Sequence, residues 1–241
     1  MALPRINETL NFTMKVPSTG KTIKYRPYLV KEEKVLLQAF ESGDTKTCLE
    51  AMADTLQACI DKESKVDVAS LTTFDVEFLF MRVRSKSVGE TSNIVVNCVE
   101  CGHQNPYTVD LENIQVDMSE SENVVELTDD VSIEMKYPSY KTLTEDDVSK
   151  AKEGDTGEVD TAMTMIAASI GAILTEEERI DCSDQPLSEL KSFVESMTNT
   201  QLQKVSGFLE SMPSLREDIV FDCKECNHHN EMELKGLSDF F

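Results

Sequence analysis

Four cysteines stand in two matched pairs, and thiols at that spacing are metal ligands before they are anything else. The first pair lies in Ile94-Val-Val-Asn-Cys98-Val-Glu-Cys101-Gly-His-Gln-Asn105. The second lies in Ile219-Val-Phe-Asp-Cys223-Lys-Glu-Cys226-Asn-His-His-Asn230. The offset is a constant 125 residues, and seven of the twelve positions are identical. One Cys-x-x-Cys supplies two thiolates, whereas a closed structural zinc site needs four. Two such knuckles docked face to face would make a tetrahedral site from Cys98, Cys101, Cys223 and Cys226. That site would tie the middle of the chain to its end.

Other chemistry at these cysteines fits less well. A redox pair wants its first thiol at a helix N-terminus, where the thiol pKa falls. Here β-branched runs precede both pairs, and Glu100 and Glu225 sit between the thiols, opposing thiolate formation in a metal-free chain. Disulfides would leave Cys48, Cys59 and Cys182 as an odd set, and seven cysteines without a leader suit a reducing compartment. His103 and His228 hold matching positions two residues past each second cysteine. They either replace a cysteine as ligands or cap the knuckle and face water.

The elements that would position these residues follow from local pattern. Each pair is preceded by an apolar strand-like run and followed by another extended segment, at 107–111 and 232–234. The residue after each second cysteine is Gly102 or Asn227, the two residue types that most readily accept positive φ. Each copy thus reads as strand, knuckle, strand, half of a zinc ribbon. The 121 residues between Cys101 and Cys223 are no obstacle, because closure cost grows only logarithmically with loop length.

Alternating polarity predicts an N-terminal β-hairpin, with strands at 9–17 and 22–28 around the turn 18–21. Helical spacing predicts helices from 29 to 43, over 45–61 and over 70–82. A further hairpin is expected at 124–127 and 131–135, then a polar loop with one helical turn at 142–156. A helix rich in small residues is expected over 159–174, suited to core packing or to a subunit contact. Two amphipathic helices follow at 187–197 and 200–212, the first capped by Ser183 or Asp184 and the second by the run 198–200. The fold class is α+β. The expected regions are the hairpin 1–30, a helical region 31–90, a split zinc ribbon from 91–111 and 217–241, and an inserted, mainly helical α+β region 112–216.

Just before the first knuckle, Arg82, Arg84 and Lys86 alternate along the chain. An extended backbone would set all three on one face. Two roles are open to that stripe: pairing with the chain's own carboxylates, or a docking edge for a partner.

Composition narrows the function. The chain has 241 residues, 23 Lys and Arg against 45 Asp and Glu, and a formal net charge of −22. Phosphate binding depends on neutralisation by Lys and Arg, so this balance argues against nucleic acid and toward basic protein partners. No charged-then-apolar leader opens the chain, and its longest apolar run, 162–174, is too short to span a bilayer. A soluble protein of the cytoplasm is expected, with no membrane partner. All three histidines, His103, His228 and His229, fall in the knuckles. No HExxH helix, GxSxG elbow, P-loop or dinucleotide turn is present. A four-cysteine zinc leaves no open position for water. The chain therefore reads as non-enzymatic.

Four stretches resemble a known family. Met1-Ala-Leu-Pro-Arg-Ile6, Pro17-Ser-Thr-Gly-Lys21 and Tyr25-Arg-Pro-Tyr-Leu-Val-Lys-Glu-Glu-Lys34 are similar to the baseplate hub subunits and hub assembly proteins of T-even-like contractile-tailed phages. Arg84-Ser-Lys-Ser-Val-Gly-Glu90, leading into Cys98, is similar as well. The resemblance implies a non-enzymatic role in building the baseplate hub, with other hub and tail proteins as partners. It implies a location in the host cytoplasm during assembly and in the virion tail baseplate. The residues leave open a second reading, a zinc-ribbon regulator that binds transcription machinery or nucleic acid.

Overall fold

The computed structural model describes residues 11–118, 123–144 and 155–240. In chain order the strands are β1 (Phe12–Lys15), β2 (Thr22–Tyr25), β3 (Thr91–Asn97), β4 (Gln104–Asp110), β5 (Gln115–Asp117), β6 (Val124–Glu126), β7 (Val131–Met135), β8 (Ile170–Thr175), β9 (Arg179–Asp181), β10 (Ser214–Asp222) and β11 (His229–Lys235). The α-helices are α1 (Val30–Ser42), α2 (Thr45–Cys59), α3 (Thr73–Ser87), α4 (Tyr140–Thr144), α5 (Asp155–Ala168), α6 (Leu187–Glu195) and α7 (Asn199–Glu210). Helices and small antiparallel sheets alternate, so the α+β class stands. The chain forms two compact units.

The first unit takes residues up to 68, then 74–118 and 214 onward. Its N-terminal hairpin pairs Phe12 with Tyr25 and Lys15 with Thr22, as alternation predicted. Helix α1 ends at Gly43, whose φ of 67° is left-handed and whose N–H bonds the Phe40 carbonyl. Helix α2 starts at Asp44, whose carboxylate accepts the Thr47 N–H. Helix α3 buries Phe74, Val76, Leu79, Met81 and Val83. A helix buried on most of its sides belongs inside a core. The same unit also buries Leu56, Leu111, Ile114, Leu215 and Phe240. Two hairpins complete this unit: β3–β4, and β10–β11 with β5 on the outer side of β10.

Helix α3 corrects one expectation. It runs on to Ser87, so Arg82, Arg84 and Lys86 are helical and not extended. Val83 and Ser85, between the cations, are buried, and that burial carries the helix past the point where the apolar period fades. Two residues along an α-helix is a turn of about 200°, so the three cations do not share a face.

The second unit takes residues 69–73 and 119–213. Its sheet has the order β6-β7-β8-β9, antiparallel throughout. Thr72 bridges Ser139, and the Tyr140 N–H bonds the Leu71 carbonyl at 2.7 Å, which attaches the short segment to this unit. Leu127, Ile133, Ile166, Ile170, Val194 and Phe208 belong to its apolar core.

The small-residue helix is the second correction. Helix α5 stops at Ala168, and residues 170–175 are strand β8. Ser169 ends the helix, its hydroxyl donating to the Met165 carbonyl at 2.8 Å. A Cβ on Gly171 would lie 3.1 Å from the Glu134 carbonyl oxygen. The glycine therefore serves close approach to β7, beside the register shift at Glu134 and Met135. Helix α6 follows Pro186 as its N-cap, in place of Ser183 or Asp184. Helix α7 carries a capping box between Thr198 and Gln201. Most of the expected polar loop 142–156 and the start of the first expected strand lie outside the described residues. Among the described residues no helix is long and apolar enough to cross a membrane.

Candidate metal centre

The two cysteine knuckles close two equivalent hairpins. In the first, Asn97 faces Gln104 across β3 and β4. In the second, Asp222 faces His229 across β10 and β11. The 125-residue offset holds for all four residues. Each knuckle uses the same backbone bonds. The Cys98 N–H donates to the His103 carbonyl and the Gly102 N–H to the Cys98 carbonyl, both at 2.9 Å. The Cys223 N–H donates to His228 and the Asn227 N–H to Cys223, again at 2.9 Å. Gly102 has φ 69° and Asn227 φ 54°. The expected left-handed reversals are both present.

The knuckles bring the four thiols together. The Sγ atoms of Cys98, Cys101, Cys223 and Cys226 all lie within 4.8 Å of one another. Cys98 and Cys226 are 3.7 Å apart, and Cys101 and Cys223 3.6 Å. A tetrahedron with metal–sulfur bonds of about 2.3 Å has edges of about 3.8 Å, so the spacing suits a four-thiolate metal ion. All four cysteines are free. Each knuckle contributes one buried thiol, Cys98 or Cys223, and one exposed thiol, Cys101 or Cys226.

Two asparagines lock the knuckles to each other. The Asn105 side chain donates to the His103 carbonyl of its own knuckle at 2.9 Å and to Cys223 Sγ at 3.7 Å. Its oxygen accepts the Lys224 N–H of the other knuckle at 2.9 Å. Asn230 mirrors this, donating to the His228 carbonyl at 2.8 Å and accepting the Val99 N–H at 2.9 Å. Both asparagines are buried. Tyr107 of β4 and Phe221 of β10 also pack across the two hairpins, with ring centroids 6.3 Å apart. Both asparagines end the repeated segments, and their identity in the two copies is the one sign of this role that the sequence carries.

Electrostatics divides the thiols. Backbone N–H groups of Cys226 and Glu225, with the Asn105 and Cys101 side chains, outweigh burial and lower Cys223 to about 6. Burial pushes Cys98 up, but the amides of Cys101 and Glu100 and the side chains of Asn230 and Cys226 bring it below the ordinary thiol range. The His228 amide favours the Cys226 thiolate, yet crowding by the other three thiols and burial push that thiol up to about 12. The His103 amide and the Cys226 side chain favour the Cys101 thiolate, but burial and the Cys223 and Cys98 thiols raise that thiol overall. Thiolate formation is thus favoured at Cys98 and Cys223 and opposed at Cys101 and Cys226. A bound divalent cation removes the remaining protons.

The histidines stand outside the thiol cluster. His103 is exposed and His228 half-buried, and the bonds they give the knuckles come from their backbones. His229 is raised by its 2.8 Å contact with Asp222.

The structure does not bring the three cations of α3 together. Arg82 donates to the carbonyls of Leu111 at 3.1 Å and Ile114 at 2.7 Å, and to that of Glu112, with its guanidinium 4.8 Å above the Phe78 ring. Lys86 pairs with Glu112 and with Glu90, the latter at 2.6 Å, and those two carboxylates raise its pKa. Arg84 is half-buried elsewhere on the helix.

A search of curated proteins and of solved structures returns no match. The family model described as T4 bacteriophage base plate protein matches residues 8–241, nearly the whole chain. The chain belongs to the T4 bacteriophage base plate protein family.

Proposed function

We propose that this protein is a non-enzymatic structural or assembly subunit of the baseplate hub, built around one structural zinc. Membership of a baseplate family implies contact with other baseplate and tail proteins. The observation that carries the zinc reading is the set of four Sγ atoms within 4.8 Å, held by two copies of one knuckle. Soft thiolates at tetrahedral spacing select zinc or an iron–sulfur centre over hard cations. Four protein ligands leave no open position, so the ion serves the fold and performs no hydrolysis. Cys98, Cys101, Cys223 and Cys226 would hold it. Asn105 and Asn230 would orient the knuckles, as outer partners of metal ligands do. The two hairpins then behave as a split zinc ribbon whose halves enter from distant parts of the chain.

In this reading Arg82 and Lys86 act inside the chain. Their bonds to residues 111–114 and to Glu90 fix the turn that leads from β4 into β5. That engagement favours an internal clamp over a docking edge for these two cations. The protein is proposed to assemble in the host cytoplasm and to reside in the tail baseplate. Mass spectrometry of baseplates purified from phage tests the placement. The chain's presence at fixed stoichiometry beside the hub proteins is expected. Recovery with polymerase or DNA and absence from baseplates and their precursors would favour the regulator.

A further inference from the structure

The two hairpins of the metal centre are copies, yet their outer edges are treated differently. On β10 the side away from β11 is taken, at its start, by β5, which pairs Asp117 with Ser214 and Gln115 with Arg216. The matching side of β3 has no strand upon it among the described residues. After β4 the chain turns onto β10. After β11 it forms a single 3-10 turn, Leu237–Phe240, and pairs with nothing there.

The backbone of β3 is set up to receive a strand. Cys98 bonds His103 and Leu111 bonds Glu90 at the two ends of the ladder. Bonded and non-bonded pairs alternate in an antiparallel ladder. Ser92, Ile94 and Val96 therefore face β4, while Asn93, Val95 and Asn97 turn their N–H and C=O groups outward. The opposite edge of this hairpin is guarded. Pro106 faces Val95 in a non-bonded pair, so its missing N–H lies on the outer edge of β4. The edge of β3 has no proline, although the 3-10 turn Leu237–Phe240 approaches it.

That edge borders a groove of about 600 Å³. Five consecutive β3 residues, Asn93–Asn97, line one side, and Met232–Leu234 of β11 with Ser238 and Asp239 line the other. Consecutive residues along one wall describe a slot parallel to a strand. One wall is the edge of β3 and the other is β11 with the 3-10 turn that follows it. Asp239 already satisfies the Lys235 N–H at 2.8 Å and closes the far end.

The slot also has a sign. Asp239 and Glu233 line it, the latter paired with Arg216 of β10 at 3.2 Å, and none of the described lining residues is a cation. Val95 is 63% exposed beside it, an apolar side chain without a cross-strand partner on this side. A second copy of this chain, at −22, would bring like charge to an acidic slot.

We infer that the outer edge of β3 accepts an extended segment of another protein, apolar residues alternating with lysine or arginine, which adds antiparallel to β3 as β5 adds to β10. Main-chain bonds supply the affinity in this mode, and alternate side chains supply the selectivity. The inference rests on the proposal that the protein works through protein contacts, and it names one such surface.

The test uses the full zinc-loaded chain and the capped peptide Lys-Val-Lys-Ile-Lys-Val-Lys. Amide hydrogen exchange is followed by NMR. Binding should slow exchange at Asn93, Val95 and Asn97 by about tenfold or more. A peptide of the same charge, N-methylated at alternate amides, should give no such protection. Val95→Pro removes the outward donor without touching a β3–β4 bond and should abolish the protection. If that variant loses its fold or its zinc, Val95→Lys replaces it, placing like charge against the peptide at the same edge. Three results would overturn the inference: no binding by the unmethylated peptide, binding that leaves the three amides unprotected, or amides already protected in the free chain. The last would mean that a second copy or the chain's own segment fills the slot. None of these touches the baseplate placement, which mass spectrometry of purified baseplates reads separately.

Discussion

At the residue scale the account depends on a few buried polar atoms. Asn105 and Asn230 each join their own knuckle to the other one. Asn105→Ala leaves the part-buried Lys224 N–H without its acceptor, and a lost hydrogen bond costs about 0.5–1.5 kcal/mol. Loss of an outer partner also weakens metal sites by about 10–100-fold. We therefore expect Asn105→Ala to fold, melt lower, and give up zinc to a chelator faster than the parent, as a colorimetric metal-release assay would show. Unchanged release would mean that the four thiols need no such orientation. Glu77 offers a separate test. Burial raises its carboxyl, offset in part by the Leu237 N–H. Its folded pKa lies above the unfolded one, so the fold disfavours the charged form. Its contribution is intact below the ordinary carboxyl range and is lost as pH rises through the raised value. Glu77→Gln keeps an acceptor for Leu237 without the charge. Thermal melts should show the variant above the parent at pH 8 and equal to it near pH 4.

Elements respond to packing that one-dimensional pattern does not carry. The cysteine pairs, the strands before them and both left-handed reversals were legible, because ligand spacing and positive φ are local properties. The end of α3 was not. Alternating cations suggested an extended stripe, whereas burial of Val83 and Ser85 keeps the segment helical. Arg82→Leu should accordingly destabilise the first unit. Charge-assisted bonds to the carbonyls of Leu111 and Ile114 are worth about 1.5–3 kcal/mol. Urea unfolding should show that loss; an unchanged midpoint would return Arg82 to the surface-docking role. The switch from α5 to β8 was hidden for a related reason. Ala167, Gly171 and Ala172 suit a close-packed helix as well as a close-packed strand. The deciding fact is the Glu134 carbonyl, 3.1 Å from where a Gly171 Cβ would sit. Overpacking typically costs about 1–3 kcal/mol, so Gly171→Val should lower stability by that order in the same urea assay. The roles of Asn105 and Asn230 stayed unread because their partners lie 119 and 131 residues away.

For the whole molecule, charge and the metal centre work at different ranges. A net charge of −22 opposes binding to phosphate backbones and favours encounter with basic partners. The metal centre acts at contact distance, holding two hairpins that the chain supplies from either side of its second unit. Its closure by one ion is the central claim, and metal analysis joined to X-ray absorption tests it most directly. The purified, reduced protein should carry one zinc per chain, with four sulfur neighbours at about 2.3 Å and no nitrogen. A chain without metal whose four thiols are paired as disulfides would contradict the account, as would two zincs per chain with histidine nitrogen in their shells.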